Sequence, residues 1–163
     1  DPARAAAELD HLQALAGSAL AEMRALIQEL HPAPGAEDGL AARLRRLAAE
    51  RQAQDGLTVD LHIPSERRLP AAIESELFRI TQEALNNIFK HADAASVTVR
   101  LVYEEEKVCL TITDDGRGFD PQLVTAEHMG LAIMGERIAG IGGHLIIESQ
   151  TGFGTTVCAT WRT

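Results

Sequence analysis

Seven consecutive residues, Asp114-Asp115-Gly116-Arg117-Gly118-Phe119-Asp120, hold the densest chemistry in the chain. They follow Val108, Leu110 and Ile112, which alternate with less apolar residues as a half-buried strand requires. A carboxylate at the end of such a strand can accept a hydrogen bond from an exocyclic amine such as that of adenine. The two glycines behind it let a flat ligand approach the main chain. Taken alone, the segment reads first as an ordinary Asp-Gly turn, which is what such a dipeptide after a strand usually is. A second set of polar groups, Glu83, Asn87 and Lys90, falls at i, i+4 and i+7 of a predicted helix and so shares one face. A carboxylate, an amide and an ammonium stacked in this way offer a base or metal anchor, a neutral oxygen ligand and a phosphate partner. The plainer alternative is a solvated helix face.

These groups need elements to position them. The spacing of Ile73, Leu77, Ile80, Ala84 and Ile88 predicts a helix over about 71–91, with Pro70 suited to its first turn. Val97, Val99, Leu101 and Tyr103 alternate as a strand, and Glu104-Glu105-Glu106 makes a charged hairpin turn into the strand that ends at Asp114. Residues 116–130 lack periodicity and read as a mobile loop. Gly130-Leu131 opens a short helix halted at Gly142-Gly143, and a last strand pair, from Leu145 and from Thr155, spans the turn Thr151-Gly152-Phe153-Gly154. Upstream, Asp38 is the expected N-cap of a helix carrying Leu40, Leu44 and Leu47 and closed by Gly56, before a strand with Leu57, Val59, Leu61 and Ile63. Residues 3–31 read as one long helix whose heptad seam includes Leu9, Leu12, Met23, Leu26 and Leu30. Its wide apolar face calls for burial on this domain's own core or in a helical bundle. His31-Pro32-Ala33-Pro34 ends it. This order predicts an α+β fold, one mostly antiparallel sheet with helices over one face.

Composition narrows the function. The 163 residues are enough for one domain with a core, and 45% apolar content argues against disorder. A net charge of −9 disfavours general nucleic-acid binding, which needs a basic face, but permits nucleotide binding through local donors and a metal. No apolar run reaches the length of a membrane span and no signal peptide opens the chain, so a cytoplasmic domain is expected, with any membrane anchor lying upstream. Asp1 is not a natural start, which suggests an excised fragment. Cys109 and Cys158 are expected to be buried free thiols.

Four segments in this order resemble the ATP-binding domain shared by gyrase, the Hsp90 chaperone, histidine kinases and MutL. Residues 82–92, QEALNNIFKHA, resemble the N box; DDGRGFD resembles the G1 box. His128-Met129-Gly130-Leu131 is similar to the G2 box and Gly152-Phe153-Gly154-Thr155 to the closing Gly-x-Gly-Thr. The resemblance covers residues 39–161 and implies a two-layer α/β sandwich of the Bergerat type with a mixed, mostly antiparallel sheet. QEALNNIFKHA, the run HMGLAIMGERI and Glu29-Leu30-His31-Pro32 resemble the nitrate-sensor (NarL-partner) class of sensor histidine kinases. That resemblance makes 1–32 the second helix of a dimerisation and phosphotransfer hairpin, 33–38 a hinge and 39–163 the catalytic domain. It implies ATP and Mg2+ as cofactors, a homodimeric parent and a response regulator with a receiver Asp as partner.

By position, Asp114 is then the adenine-reading carboxylate, its pocket shaped by Gly116 and Gly118. Asn87 resembles the magnesium-ligating Asn, and Glu83 the acidic residue that orients or activates the attacking group. Lys90 and His91 lie beside the phosphates, Gly130 and Leu131 close the lid, and Thr155 backs the adenine. Three departures stand out. His128 opens the G2 box where Gly is usual, Gly135 stands where the family has an Arg, and the chain has no His-Asp-x-x-x-Gln phosphoacceptor box. The last implies an acceptor His on an upstream helix. Two rival functions stay open: a serine kinase or ATPase of the same fold, as in anti-sigma factors, and a non-catalytic nucleotide-gated interaction module.

Overall fold

In the computed structural model the chain divides into two compact units, Asp1–Glu37 and Asp38–Thr163. The structure describes residues 38–120 and 129–162. The predicted long helix, residues 33–37 of the predicted hinge, and residues 121–128 of the predicted 116–130 loop, His128 among them, lie outside these.

The second unit runs α1 (Leu40–Asp55), β1 (Thr58–His62), α2 (Ala71–Asn87), a π-helical turn (Ile88–Ala92), β2 (Ser96–Tyr103), β3 (Lys107–Asp114), α3 (Met129–Gly140), β4 (His144–Ser149) and β5 (Thr155–Arg162). The strands form one sheet in the order β1-β2-β3-β5-β4. Only β1 and β2 are parallel; the other three pairings are antiparallel. This is the α+β architecture expected from the element order. The short turn at Glu104, whose N–H donates to the Lys107 carbonyl at 2.8 Å, makes β2 and β3 a hairpin.

The period-two pattern of the strands decides which face is covered. Val97, Val99, Leu101, Val108, Leu110 and Ile112 are all buried beneath the helices. Thr98, Arg100 and Thr113, their neighbours of opposite parity, are exposed on the other face. Against the covered face lie Leu40 and Leu44 of α1, Leu77 and Ile80 of α2, and Met134 and Ile138 of α3, each no more than 2% exposed. Burying one such side chain stabilises the fold by about 1.5–3 kcal/mol, so the helix stripes hold α2 and α3 over the sheet.

Three expectations need correcting. Asp38 does not cap α1: the residue before the helix is Gly39, with no side-chain cap, and the Asp38 carboxylate turns instead to Arg46 at 3.4 Å. A guanidinium two turns along the helix competes for the oxygen that a cap would offer to backbone N–H groups. The α2 pattern does not continue as α-helix to His91, because its last five residues, Ile88–Ala92, form a π turn. That turn ends at Asp93, whose φ of 53° leaves the helix and sends the chain into β2. Finally, Cys109 and Cys158 are free but only half-buried. They sit diagonally on β3 and β5, on the face that the described helices leave open, with their sulfurs 3.6 Å apart.

Candidate functional site

Between α2, the ends of β3 and β5 and the start of α3 lies a cavity of about 270 Å3. That is close to the lower end of the range for small-ligand sites, and its walls are mostly apolar, as such sites require. Ala84 and Ile88 of α2, Ile112 of β3, Met134 of α3 and Val157 of β5 supply flat hydrophobic surface. One carboxylate, that of Asp114, is set into this wall.

The strand alternation that buries Val108, Leu110 and Ile112 carries Asp114 to the same face, at 4% exposure. Its Oδ1 accepts the Gly116 N–H at 2.8 Å, and the Thr155 N–H also points at the carboxylate. Burial pushes the Asp114 carboxyl above its ordinary value of 3.8, while these two N–H groups restrain the rise. Two backbone donors leave lone pairs on the carboxylate for a ligand. Asp115, next in sequence, behaves differently. It takes the N–H groups of Ala95 and Ser96 at 2.9 Å and the Ser96 hydroxyl at 2.8 Å, which hold its carboxyl below 3.8. It therefore clamps the end of β3 to the start of β2 rather than facing the cavity.

The structure brings Asn87, His91, Asp114, Gly118, Gly130, Leu131 and Thr155 to the cavity wall. Gly116 stands behind the wall, donating to Asp114. Glu83 lies at the α3 end: a Cβ on Gly130 would run into Glu83 Oε1 and come within 3.1 Å of Asn87 Nδ2. The acid and the amide are thus side by side, one turn apart, against the first turn of α3. Lys90 is exposed on the π turn and does not line the cavity. Sequence reasoning missed Arg117, which lines the cavity, and Asp115 and Ser149, which hold its rim. The doubled Asp in the motif was a visible signal for Asp115; nothing local in the sequence marks Ser149.

A hydrophobic slot with one buried carboxylate, and an acid and an amide at its far end, matches a flat base with a polar tail. Comparison with known proteins agrees. The chain belongs to the histidine kinase-, DNA gyrase B-, and HSP90-like ATPase family, whose model matches residues 72–163. Within it the domain is of the sensor histidine kinase type, an ATP-binding catalytic module. It is 34% identical over 92% of its length to the signal transduction histidine-protein kinase/phosphatase DegS of Brevibacillus brevis. To the sensor histidine kinase LiaS of Bacillus subtilis it is 36% identical over 88%. The chain spans 39% of the length of each of these relatives. Among solved structures, the histidine kinase domain of the Erythrobacter litoralis EL346 blue-light activated histidine kinase superposes with a TM-score of 0.62 at 27% identity, over 75% of this chain and 60% of that one. Among the described residues no helix is long and apolar enough to cross a membrane.

Proposed function

We propose that the cavity binds the adenine of ATP through Asp114, and that the protein of which this chain is the catalytic module transfers the γ-phosphoryl group to a histidine for relay to the receiver Asp of a response regulator. The observation that carries this reading is Asp114: a buried carboxylate, held by two backbone N–H groups, is the only acidic side chain set into the wall of the apolar cavity among the described residues. It would accept a hydrogen from the 6-amino group while Ile88, Met134 and Val157 pack on the ring faces.

The tail then runs toward Glu83, Asn87 and His91, with Gly130 and Leu131 closing over it. The Gly130 backbone packs so closely on Glu83 and Asn87 that a Cβ there would overlap the Glu83 carboxylate. This sets both side chains beside the path of the phosphates, where a magnesium ion would arrive with several of its waters. The Asn87 amide oxygen would hold it, and its charge would offset that of the phosphates. Glu83 would orient the attacking imidazole, and Lys90, at the rim, would meet the outer phosphate oxygens. These groups contribute positioning and charge, which is most of what a protein supplies to phosphoryl transfer. Residues 39–163 would be the catalytic domain, 33–38 a hinge and 1–32 a helix of a dimerising hairpin in a homodimeric parent of the nitrate-sensor (NarL-partner) class. QEALNNIFKHA and HMGLAIMGERI support that class.

Calorimetry of ADP binding tests the reading. Asp114→Asn should weaken ADP by roughly ten- to a hundredfold, since a hydrogen bond to a buried charge contributes about 1.5–3 kcal/mol. Unchanged affinity would remove the adenine assignment.

A further inference from the structure

Ser149 is the last residue of β4 and stands directly opposite Thr155, the first of β5. Both share the parity of the covered strand positions, and Thr155 reaches the cavity wall while Ser149 stands behind it. The Ser149 hydroxyl has three partners. The Phe119 N–H donates to it at 2.9 Å, the Gly154 carbonyl oxygen lies 3.1 Å away and the Thr155 hydroxyl 2.9 Å away. A hydroxyl has one proton and two lone pairs. If Ser149 gave its proton to Thr155, the Ser149 and Gly154 oxygens would face each other at 3.1 Å with no proton between them. If it gives the proton to Gly154, both lone pairs are filled, one by the Phe119 N–H and one by the Thr155 O–H, and all three contacts become hydrogen bonds. The second arrangement spends the Thr155 proton on Ser149. Thr155 then presents only lone pairs to the cavity.

We propose that Ser149 is a specificity-determining positioning residue: it fixes the Thr155 hydroxyl as an acceptor beside the Asp114 carboxylate, so that the cavity selects a 6-amino purine over a 6-oxo purine. Two acceptors suit the two hydrogens of an amino group, or a water carried by it. A 6-oxo group would set its own lone pairs against both. A site built to hydrogen-bond a polar group rejects analogues that leave its partners unpaired. The inference rests on the reading of Asp114 and Thr155 as base contacts.

The test is a double-mutant cycle on the 163-residue chain, with ADP and inosine diphosphate affinities measured by calorimetry and competition. The unaltered chain should prefer ADP. Ser149→Ala should weaken ADP about three- to tenfold, the scale of one neutral hydrogen bond, and leave inosine diphosphate within about twofold. The ratio of the two affinities is taken within one variant, so a loss of folded protein cancels. Ser149→Thr, which keeps the hydroxyl and suits a strand, should retain the ratio. In the Thr155→Val background the effect of Ser149→Ala should vanish. Equal losses for both nucleotides, an undiminished Ser149→Ala effect in that background, or a ratio that narrows as far in Ser149→Thr as in Ser149→Ala would each overturn the proposal. So would equal binding of ADP and inosine diphosphate by the unaltered chain. Thr155→Val with unchanged ADP affinity would remove the Thr155 contact itself and the proposal with it. If Thr155→Val weakens ADP but does not couple to Ser149→Ala, only the role of Ser149 falls.

Discussion

Replacing Asp114 by asparagine removes a charge that burial disfavours, whereas the same change at Asp115 removes one that its hydrogen bonds favour. The Asp114 carboxyl is raised above 3.8 in the folded chain, so between 3.8 and its raised value the folded state holds the extra proton. Its contribution to stability therefore falls as pH rises through that window and is fully unfavourable above it. The Asp115 carboxyl is lowered, so its stabilisation is complete above 3.8 and is lost as pH falls through its folded value. At neutral pH Asp114→Asn should raise the urea midpoint of the nucleotide-free chain and Asp115→Asn should lower it, both gaps closing in acid. Gaps of the same sign would contradict these environments. Asn87 offers a different contrast. Because it lies beside Glu83 at the α3 end of the cavity, Asn87→Ala should weaken Mg-ATP by about tenfold, the scale of a lost metal-ligand partner, and metal-free ADP much less. Equal losses for the two ligands would rule out a metal role.

At the scale of elements, the site depends on how closely β5 and its preceding turn approach the end of β3. Gly154 has φ 81°, and a Cβ there would overlap the carbonyl oxygen of Asp114. Gly152, in the same turn, has φ 84° but faces open space. Gly152→Ala should therefore cost only the left-handed conformational term, about 1–2 kcal/mol. Gly154→Ala should cost at least ~1 kcal/mol more, since a packed backbone must move. It should also weaken ADP binding, because β5 carries the Thr155 N–H away from Asp114. Urea midpoints and ADP titrations of the two variants check this, and equal effects would mean that the approach is not tight. The π turn after α2 has a related role. It brings His91 and Ala92 to the cavity wall and lets the Ala92 carbonyl accept the Arg117 N–H at 2.7 Å, joining the segment after α2 to the loop after β3.

For the whole molecule, the balance of −9 leaves phosphate binding to local groups rather than to a basic face. Binding and phosphotransfer are also separable. The chain contains no His-Asp-x-x-x-Gln box, and phosphoryl transfer needs a nucleophile held at attack distance. Incubated with labelled ATP, the chain should bind nucleotide yet form no acid-labile phosphohistidine, and an added hairpin carrying such a box should become labelled. Stoichiometric phosphate on His11 or His31 would instead place the acceptor within this chain.

Local pattern was enough for much of this. The alternation in β2 and β3, the stripe from Ile73 to Ile88 and the glycines of DDGRGFD announced the elements, the covered face and Asp114, because burial periodicity and turn chemistry are written over a few neighbouring residues. Other features depend on groups far apart in the chain. The cysteines, 49 residues apart, meet on the open face because the described helices cover only the other one. Glu83 and Asn87 sit against Gly130 only once α3 has folded back over α2. Ser149 meets Phe119 and Thr155 only because β4 pairs with β5 beside the end of β3. No run of residues encodes such a contact, since each side chain's partner is selected by the packing of the sheet and helices as a whole.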